Sequence, residues 1–345
     1  MLRTAITEQY GITVPIVSAG MGFIATPSLV SAVSNAGGLG LLAAGASPPP
    51  ALREAIQITR SMTPLVFGVN FIIENTAFGP LTTEGHIDVC IELKVPLVVF
   101  FWHLPSAAWM KRLKSSGIKV WLQVGSLEFS REGIDLGADA IIVQGAEAGG
   151  HNRGTAGLFA LLPRVAEAIA PVPAIAAGGI ADGRGLAAAL CLGAAGVCVG
   201  TRFVASIEGN AHEEYKRRIV GASEADIART SIFGPEWPDA EMRVIRNRVV
   251  REWAGSSTRT PPPPEPQQWI GTTKLGGQEY RMPKFSAILP TPETTGDFEE
   301  MCLAAGESAG LVSGIEPAGD IVRRIAQEAE QILASMHTKT RPASA

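Results

Sequence analysis

AIIVQGAEAGGHNRGT, residues 140–155, begins as a strand and ends as a loop too glycine-rich to pack by itself. Ala140 to Val143 are apolar and partly β-branched, the pattern of a strand buried on both faces. Gln144, Gly145, Glu147, Gly149, Gly150, His151, Asn152, Arg153 and Gly154 follow, with one histidine among them. Imidazole is the side chain best matched to proton transfer near neutral pH. A lone loop histidine more often satisfies a local hydrogen bond, so His151 gains weight only from what surrounds it.

Outward from this stretch, short apolar runs alternate with helix-like segments. Strands are expected at Pro15–Ala19, Gly40–Ala44, Leu65–Phe71, Leu97–Phe101, Lys119–Val124, Ala140–Gln144, Pro173–Ala177 and Val197–Thr201. Helices are expected at Pro27–Ala36, Pro49–Arg60, Gly85–Leu93, Ser106–Ser115, Leu127–Leu136, Leu158–Ile169 and Gly183–Leu192. Thr26 and Asp182 are placed as N-caps, with Pro27 at the first helical position and Gly37 beyond the end. Eight apolar strands joined by helical crossovers make a parallel sheet, and eight is the number that closes a barrel. The expected class is therefore α/β, a (β/α)8 TIM barrel over residues 1–205. A doubly wound open sheet is the rival, but the first turn, AGMGFIATP, lacks GxGxxG and the ribose-binding acid.

Beyond residue 205 the alternation stops. Residues 206–315 read as a smaller, mostly helical and irregular insertion. It would hold a helix at Ile207–Gly221, a capping box at Ser223–Asp226, and an amphipathic helix at Met242–Trp253. Arg243, Arg246, Arg248 and Arg251 on that last stretch could grip an anion, though a solvated face is the commoner use of such a run. PPPPEP, residues 261–266, reads as a polyproline connector. A final helix over 316–336, with Ile321, Ile325, Ala329 and Ile332 on one face, should pack back on the barrel. HTKTRPASA, residues 337–345, reads as a disordered tail.

Composition narrows the function classes. The 345 residues are 46% hydrophobic and 18% charged, with net charge −4 and a pI near 5.8. That balance gives no electrostatic footprint for nucleic acid or an anionic membrane. No run of about 18 apolar residues and no signal peptide is readable, so a cytoplasmic protein is expected. Cys90, Cys191, Cys198 and Cys302 lack ligand-like spacing, and Cys191 and Cys198 read as buried thiols. No metal site is readable, and the sequence does not set the oligomeric state.

Two glycine turns close the argument. Gly178-Gly179 would end the seventh strand and Gly200-Thr201 the eighth, where barrels commonly hold a phosphate on backbone N–H groups. With QGAEAGGH (144–151), AAGGIADGRG (176–185), VGTRF (199–203), SNAGGLG (34–40), FGVNF (67–71) and AGESAGL (305–311), the chain resembles the nitronate monooxygenase (2-nitropropane dioxygenase) family of FMN barrels. The FMN-dependent enoyl-acyl-carrier-protein reductases are related to that family. The resemblance implies non-covalent FMN, its phosphate on Gly178, Gly179, Gly200 and Thr201. The ring would lie near Gly20, Met21, Asn70, Gln123 and Gln144, with Gly149, Gly150, Ala177 and Gly306 also at the cofactor. His151 takes the place of the family's catalytic histidine, and Met21, Phe71, Phe101 and Trp102 would wall an apolar pocket.

The reaction so implied is oxidation of an alkyl nitronate, or a nitroalkane, by O2 to a carbonyl compound and nitrite. The alternative is an NAD(P)H-dependent flavin reductase. Two departures stand out: the strand-four His-Phe-Gly motif is replaced by Phe101-Trp102-His103, and the C-terminal AGQ has become Ala305-Gly306-Glu307.

Overall fold

The computed structural model describes residues 2–339 apart from 46, 78, 236 and 254–259. Eight parallel strands close a barrel: β1 Ile16–Ser18, β2 Leu39–Ala43, β3 Phe67–Ile73, β4 Leu97–Trp102, β5 Lys119–Val124, β6 Ala140–Gln144, β7 Ala174–Ala177 and β8 Gly196–Val199. Ile16 of β1 pairs with Val197 of β8, which seals the ring. All seven expected crossover helices form, with ends moved by a residue or two. Asp182 caps its helix through Arg184 and Gly185 N–H at 2.9 and 3.2 Å. Thr26 stands at an N-cap but makes no capping bond.

The continuous apolar strands have a simple cause. Leu39 and Leu41, Leu97 and Val99, Ala140 and Ile142, Ile175 and Ala177 turn into the barrel and pack with Trp121. The alternate residues, such as Val98 and Phe100 or Ile141 and Val143, pack outward beneath the helices. Both faces of the strands are thus covered, so apolar residues dominate on either side, with Ser18, Asn70 and Gln144 as buried polar exceptions.

A short helix, Ala5–Tyr10, closes the barrel's floor, which the sequence did not announce. Ile6 joins the interior cluster, and buried Trp121 donates from Nε1 to the Tyr10 hydroxyl at 2.6 Å. The final helix, Ala318–Lys339, runs longer than expected and lies on the helix Gly183–Cys191. There a Cβ on Gly183 would stand 2.3 Å from Glu328 Cβ, so glycine permits the approach. The expected tail at 337–345 is helical through Lys339; residues 340–345 lie outside the described residues.

The insertion differs most from expectation: it is not mostly helical. The helix expected at Ile207–Gly221 is confined to Glu213–Val220, and the box at Ser223–Asp226 opens only a 3-10 turn, Glu224–Asp226. Strands β9 Ile227–Thr230 and β10 Met242–Ile245 pair antiparallel, and β11 Trp269–Leu275 forms a hairpin with β12 Gln278–Pro283. The supposed Arg-rich helix is split. Met242 and Val244 are buried on either side of Arg243, a period of two, so the segment extends as a strand. Asn247 then accepts from Val250 N–H at 3.3 Å, and helix resumes at Arg248–Trp253. Cys90, Cys198 and Cys302 are buried free thiols, but Cys191 is exposed, contrary to expectation, on the outer face of its helix.

Candidate active site

A cavity of about 950 Å³ opens at the C-terminal ends of the strands, at the upper end of the size range of small-molecule sites. Gly20, Met21, Asn70, Gln123, Gln144, Gly149, Gly150, His151, Ala177, Gly178, Gly179, Gly200 and Thr201 all line it. Residues from six of the eight strands and their βα connections thus meet as the barrel topology demands. Gly306 does not line the cavity. It lies behind Gly149, where a Cβ on Gly149 would come within 2.4 Å of Gly306 N. Gly306 N–H donates to Thr201 Oγ1 at 2.9 Å, tying the C-terminal segment to the eighth strand's turn.

One side of the cavity is a cradle of backbone donors. Gly178 and Gly179 have φ of 107° and 71°, a left-handed turn that glycine adopts without strain. Among the described residues no acceptor meets the N–H groups of Gly179, Gly200 or Thr201. Free N–H groups ahead of the Asp182-capped helix and at the start of the turn Thr201–Val204 form the kind of surface that takes an anion. The floor is built from neutral amides. Asn70 donates to Val99 O at 3.4 Å, and Gly20 lies so close that a Cβ there would strike the Asn70 side chain. Gln144 donates from Nε2 to His151 O at 3.1 Å, while its buried Oε1 has no partner.

His151 sits on a two-residue strand, Gly150–His151, which adds to the sheet of β9 and β10 by pairing with Met242 and Arg243. Gly150, at φ 69°, makes the turn into it. The imidazole stacks on Trp237 with ring centroids 4.1 Å apart and lies edge-on to Trp102 at 5.9 Å. Its Nε2 is buried without a hydrogen-bond partner. Burial lowers the ring's pKa from 6.5 to about 4, because the charged form would lose its water. Around it, Asn152 bonds Gly145 O at 2.8 Å, and Arg243 bonds Ala146 O and pairs with Glu307 at 3.0 Å.

Other readings are corrected by placement. Phe101 lines the cavity, but Phe71 packs outward against His86 and Phe100. Trp102 touches His151 without lining the main cavity. None of the four arginines reaches the cavity. Arg248 pairs with Asp297 and Glu300 at 2.5 and 2.8 Å, Arg251 with Glu299 at 3.3 Å, and Arg246 stands beside Asp226. The displaced His103 is half exposed and pairs with Glu74 at 3.3 Å. His86 does line the cavity, yet its Nε2 meets Ser47 O at 2.7 Å and its Nδ1 meets Thr83. Sequence reasoning missed Trp237, Met242 and Tyr280, all lining residues from the insertion. The acidic run Asp297, Glu299 and Glu300 was the available signal that Arg248 and Arg251 were already matched.

Among the described residues no cluster of three His, Cys, Asp or Glu side chains gathers for a metal, and no helix is long and apolar enough to cross a membrane. Fold and site together define a (β/α)8 barrel with a cradle of free backbone N–H groups beside a largely apolar chamber. The chain belongs to the nitronate monooxygenase family, whose model it matches over residues 3–328. It is 39% identical over 259 residues to a (3aS,4S,5R,7aS)-5-hydroxy-7a-methyl-1-oxo-octahydro-1H-indene-4-carboxyl-CoA dehydrogenase of Mycobacterium tuberculosis, covering 74% of this chain and 70% of that one. A probable nitronate monooxygenase of Staphylococcus aureus is 31% identical, with 96% of this chain and 98% of that one covered. The solved FabK of Thermotoga maritima superposes with a TM-score of 0.79 at 33% identity, covering 98% of this chain and all of that one. The family is one of flavoproteins.

Proposed function

We propose that the protein binds FMN and oxidises alkyl nitronates with O2, releasing a carbonyl compound and nitrite. The residues fit FMN. The free N–H groups of Gly179, Gly200 and Thr201 match a phosphate, and the orphaned Gln144 Oε1 can accept from a ring N–H. Gly178 would complete the phosphate turn; Gly20, Met21, Asn70, Gln123 and Ala177 would support the ring, and Gly149 and Gly150 would leave room for it. When bound, FMN supplies the two-electron redox chemistry and the reaction with oxygen.

The observation that carries the reading is the buried, unpartnered Nε2 of a neutral His151 in a largely apolar chamber, whose lining charges, Lys274 and Glu293, pair with each other at 3.8 Å. An imidazole whose conjugate acid has a pKa near 4 is a weak base, poorly suited to removing an α-proton from a neutral nitroalkane. As a neutral donor, with its proton on Nε2, it can hydrogen-bond an oxygen of an already ionised nitronate without itself being charged. The preferred substrate is therefore the nitronate. Phe101 and Met21, which line the cavity, would pack against its alkyl part and keep water out.

The second reading is NAD(P)H-dependent reduction or dehydrogenation of a larger thioester, favoured by the cavity's size and by the dehydrogenase and FabK likenesses. Against it, none of the four arginines that could hold a dinucleotide or carrier phosphate lines the cavity, and Arg243, Arg248 and Arg251 are paired with carboxylates. The test mixes anaerobic holoenzyme with ethylnitronate, NADH or NADPH and follows flavin bleaching, then measures nitrite in air. Faster bleaching by the nitronate with stoichiometric nitrite supports the proposal. Rapid bleaching by a nicotinamide with no nitrite from any alkyl nitronate overturns it.

A further inference from the structure

A working imidazole is usually oriented by a hydrogen bond to its second nitrogen, commonly from a carboxylate or carbonyl. His151 has no such bond. Its main chain is fixed by pairing with Met242, but among the described residues nothing hydrogen-bonds to its ring. What touches the ring is aromatic. Trp237 lies nearly parallel to it at 4.1 Å and 27°, and Trp102 presents an edge to both rings, 4.6 Å from Trp237 and 5.9 Å from His151.

Both tryptophans are themselves anchored. Trp237 Nε1 donates to Glu74 Oε2 at 3.1 Å, and the same carboxylate meets His103 at 3.3 Å. Trp102 holds φ at 83°, a left-handed conformation that a large side chain rarely adopts, and its carbonyl accepts from Arg153 at 2.6 Å. Such strain persists only where surrounding contacts impose it. Here it turns the indole toward Trp237 and His151. The charged groups nearby are all engaged: Glu74 by Trp237 and His103, Glu241 by Arg229 at 2.6 Å, and Glu307 by Arg243 at 3.0 Å, while Arg153 lies 5.5 Å over the Trp102 ring.

We propose that Trp237 is the positioning residue of this site: anchored on Glu74, its indole sets the rotamer of His151, shields one imidazole face from water and so keeps the ring neutral. The inference rests on the reading of His151 as the substrate's polar contact, and it assigns a role to a residue of the insertion rather than of the barrel. The low titration of His151 agrees with it, since removing the stacked ring would let water reach the imidazole.

The test uses holoenzyme with 15N-labelled histidine, titrated by NMR from pH 4 to 8, beside steady-state turnover of a nitronate. In Trp237→Ala, His151 should titrate at least one pH unit higher than in wild type, and kcat should fall about 10- to 100-fold with a smaller change in KM. Trp237→Phe, which keeps a stacking ring but loses the Glu74 bond, should recover part of both, the remaining loss being the share of the Glu74 anchor. Trp237→Leu keeps apolar bulk without a stacking face and serves where the alanine variant does not fold; it should resemble alanine in kcat. Unchanged His151 titration and kcat in Trp237→Ala, or equal damage in the Phe and Leu variants, overturns the proposal. The titration needs no turnover. A wild type that oxidises no nitronate defeats the functional reading, while the titration still decides the role of Trp237.

Discussion

Acid should destabilise this protein through His151 by a calculable amount. The group titrates at about 4 in the folded chain and at an ordinary 6.5 when unfolded. Between those values the unfolded state binds more protons than the folded one, so stability rises with pH and is lost as pH falls from 6.5 toward 4. Moving from pH 7 to pH 4.5 should cost about 2 kcal/mol from this one group, roughly two-thirds of what the full two-and-a-half-unit displacement is worth. Carboxylates and the other histidines contribute their own slopes, so the measurement is a difference. Urea unfolding, followed by tryptophan fluorescence, is run on wild type and His151→Leu at both pH values. The variant should lose about 2 kcal/mol less stability than wild type over that interval. Parallel losses would mean that the imidazole is hydrated or already charged in the folded state. The assignment of a neutral donor would then fail with it.

Two substitutions probe the cavity's backbone. Gly179→Asp places a carboxylate beside free N–H groups at φ 71°, a conformation aspartate tolerates, so the protein should fold but purify colourless; a normal flavin content would show that the phosphate sits elsewhere. Gly149→Ala drives a methyl to within 2.4 Å of Gly306 N and should lower stability by about 1–3 kcal/mol in urea melts, with turnover falling as the His151 loop shifts; wild-type values for both would mean the two segments separate freely.

The barrel was legible because both faces of its strands are buried, and a four- to seven-residue apolar run bounded by glycine has few other uses. Ala140–Gln144 appears in the structure with the ends read from sequence. The glycine turns were legible for a similar reason, since Gly178 and Gly179 occupy φ values that other residues avoid. The insertion was not. Met242–Ile245 carries Arg243 between buried neighbours, and over four residues a period of two is hard to tell from part of a helical face. Leu275-Gly276-Gly277-Gln278 does hold a hairpin signal, a Gly-Gly turn between strands of mixed polarity. Trp237 lies in an irregular segment 86 positions beyond His151, so no local pattern could join the two.

The strand Gly150–His151 is held by β10, a segment of the chain made some 90 residues later. The eight staves can therefore close while the histidine loop still has nothing to pair with. Pairing over such a separation is slow to form and carries a loop-closure cost that local contacts do not. Chemical competence should thus arrive as the last event of assembly, after the insertion folds down over the barrel mouth. A chimera that grafts residues 145–155 into a related barrel would carry the histidine without its partner strand. The portable unit is the loop together with Ile227–Ile245, the strand pair and intervening tryptophan that hold it in place.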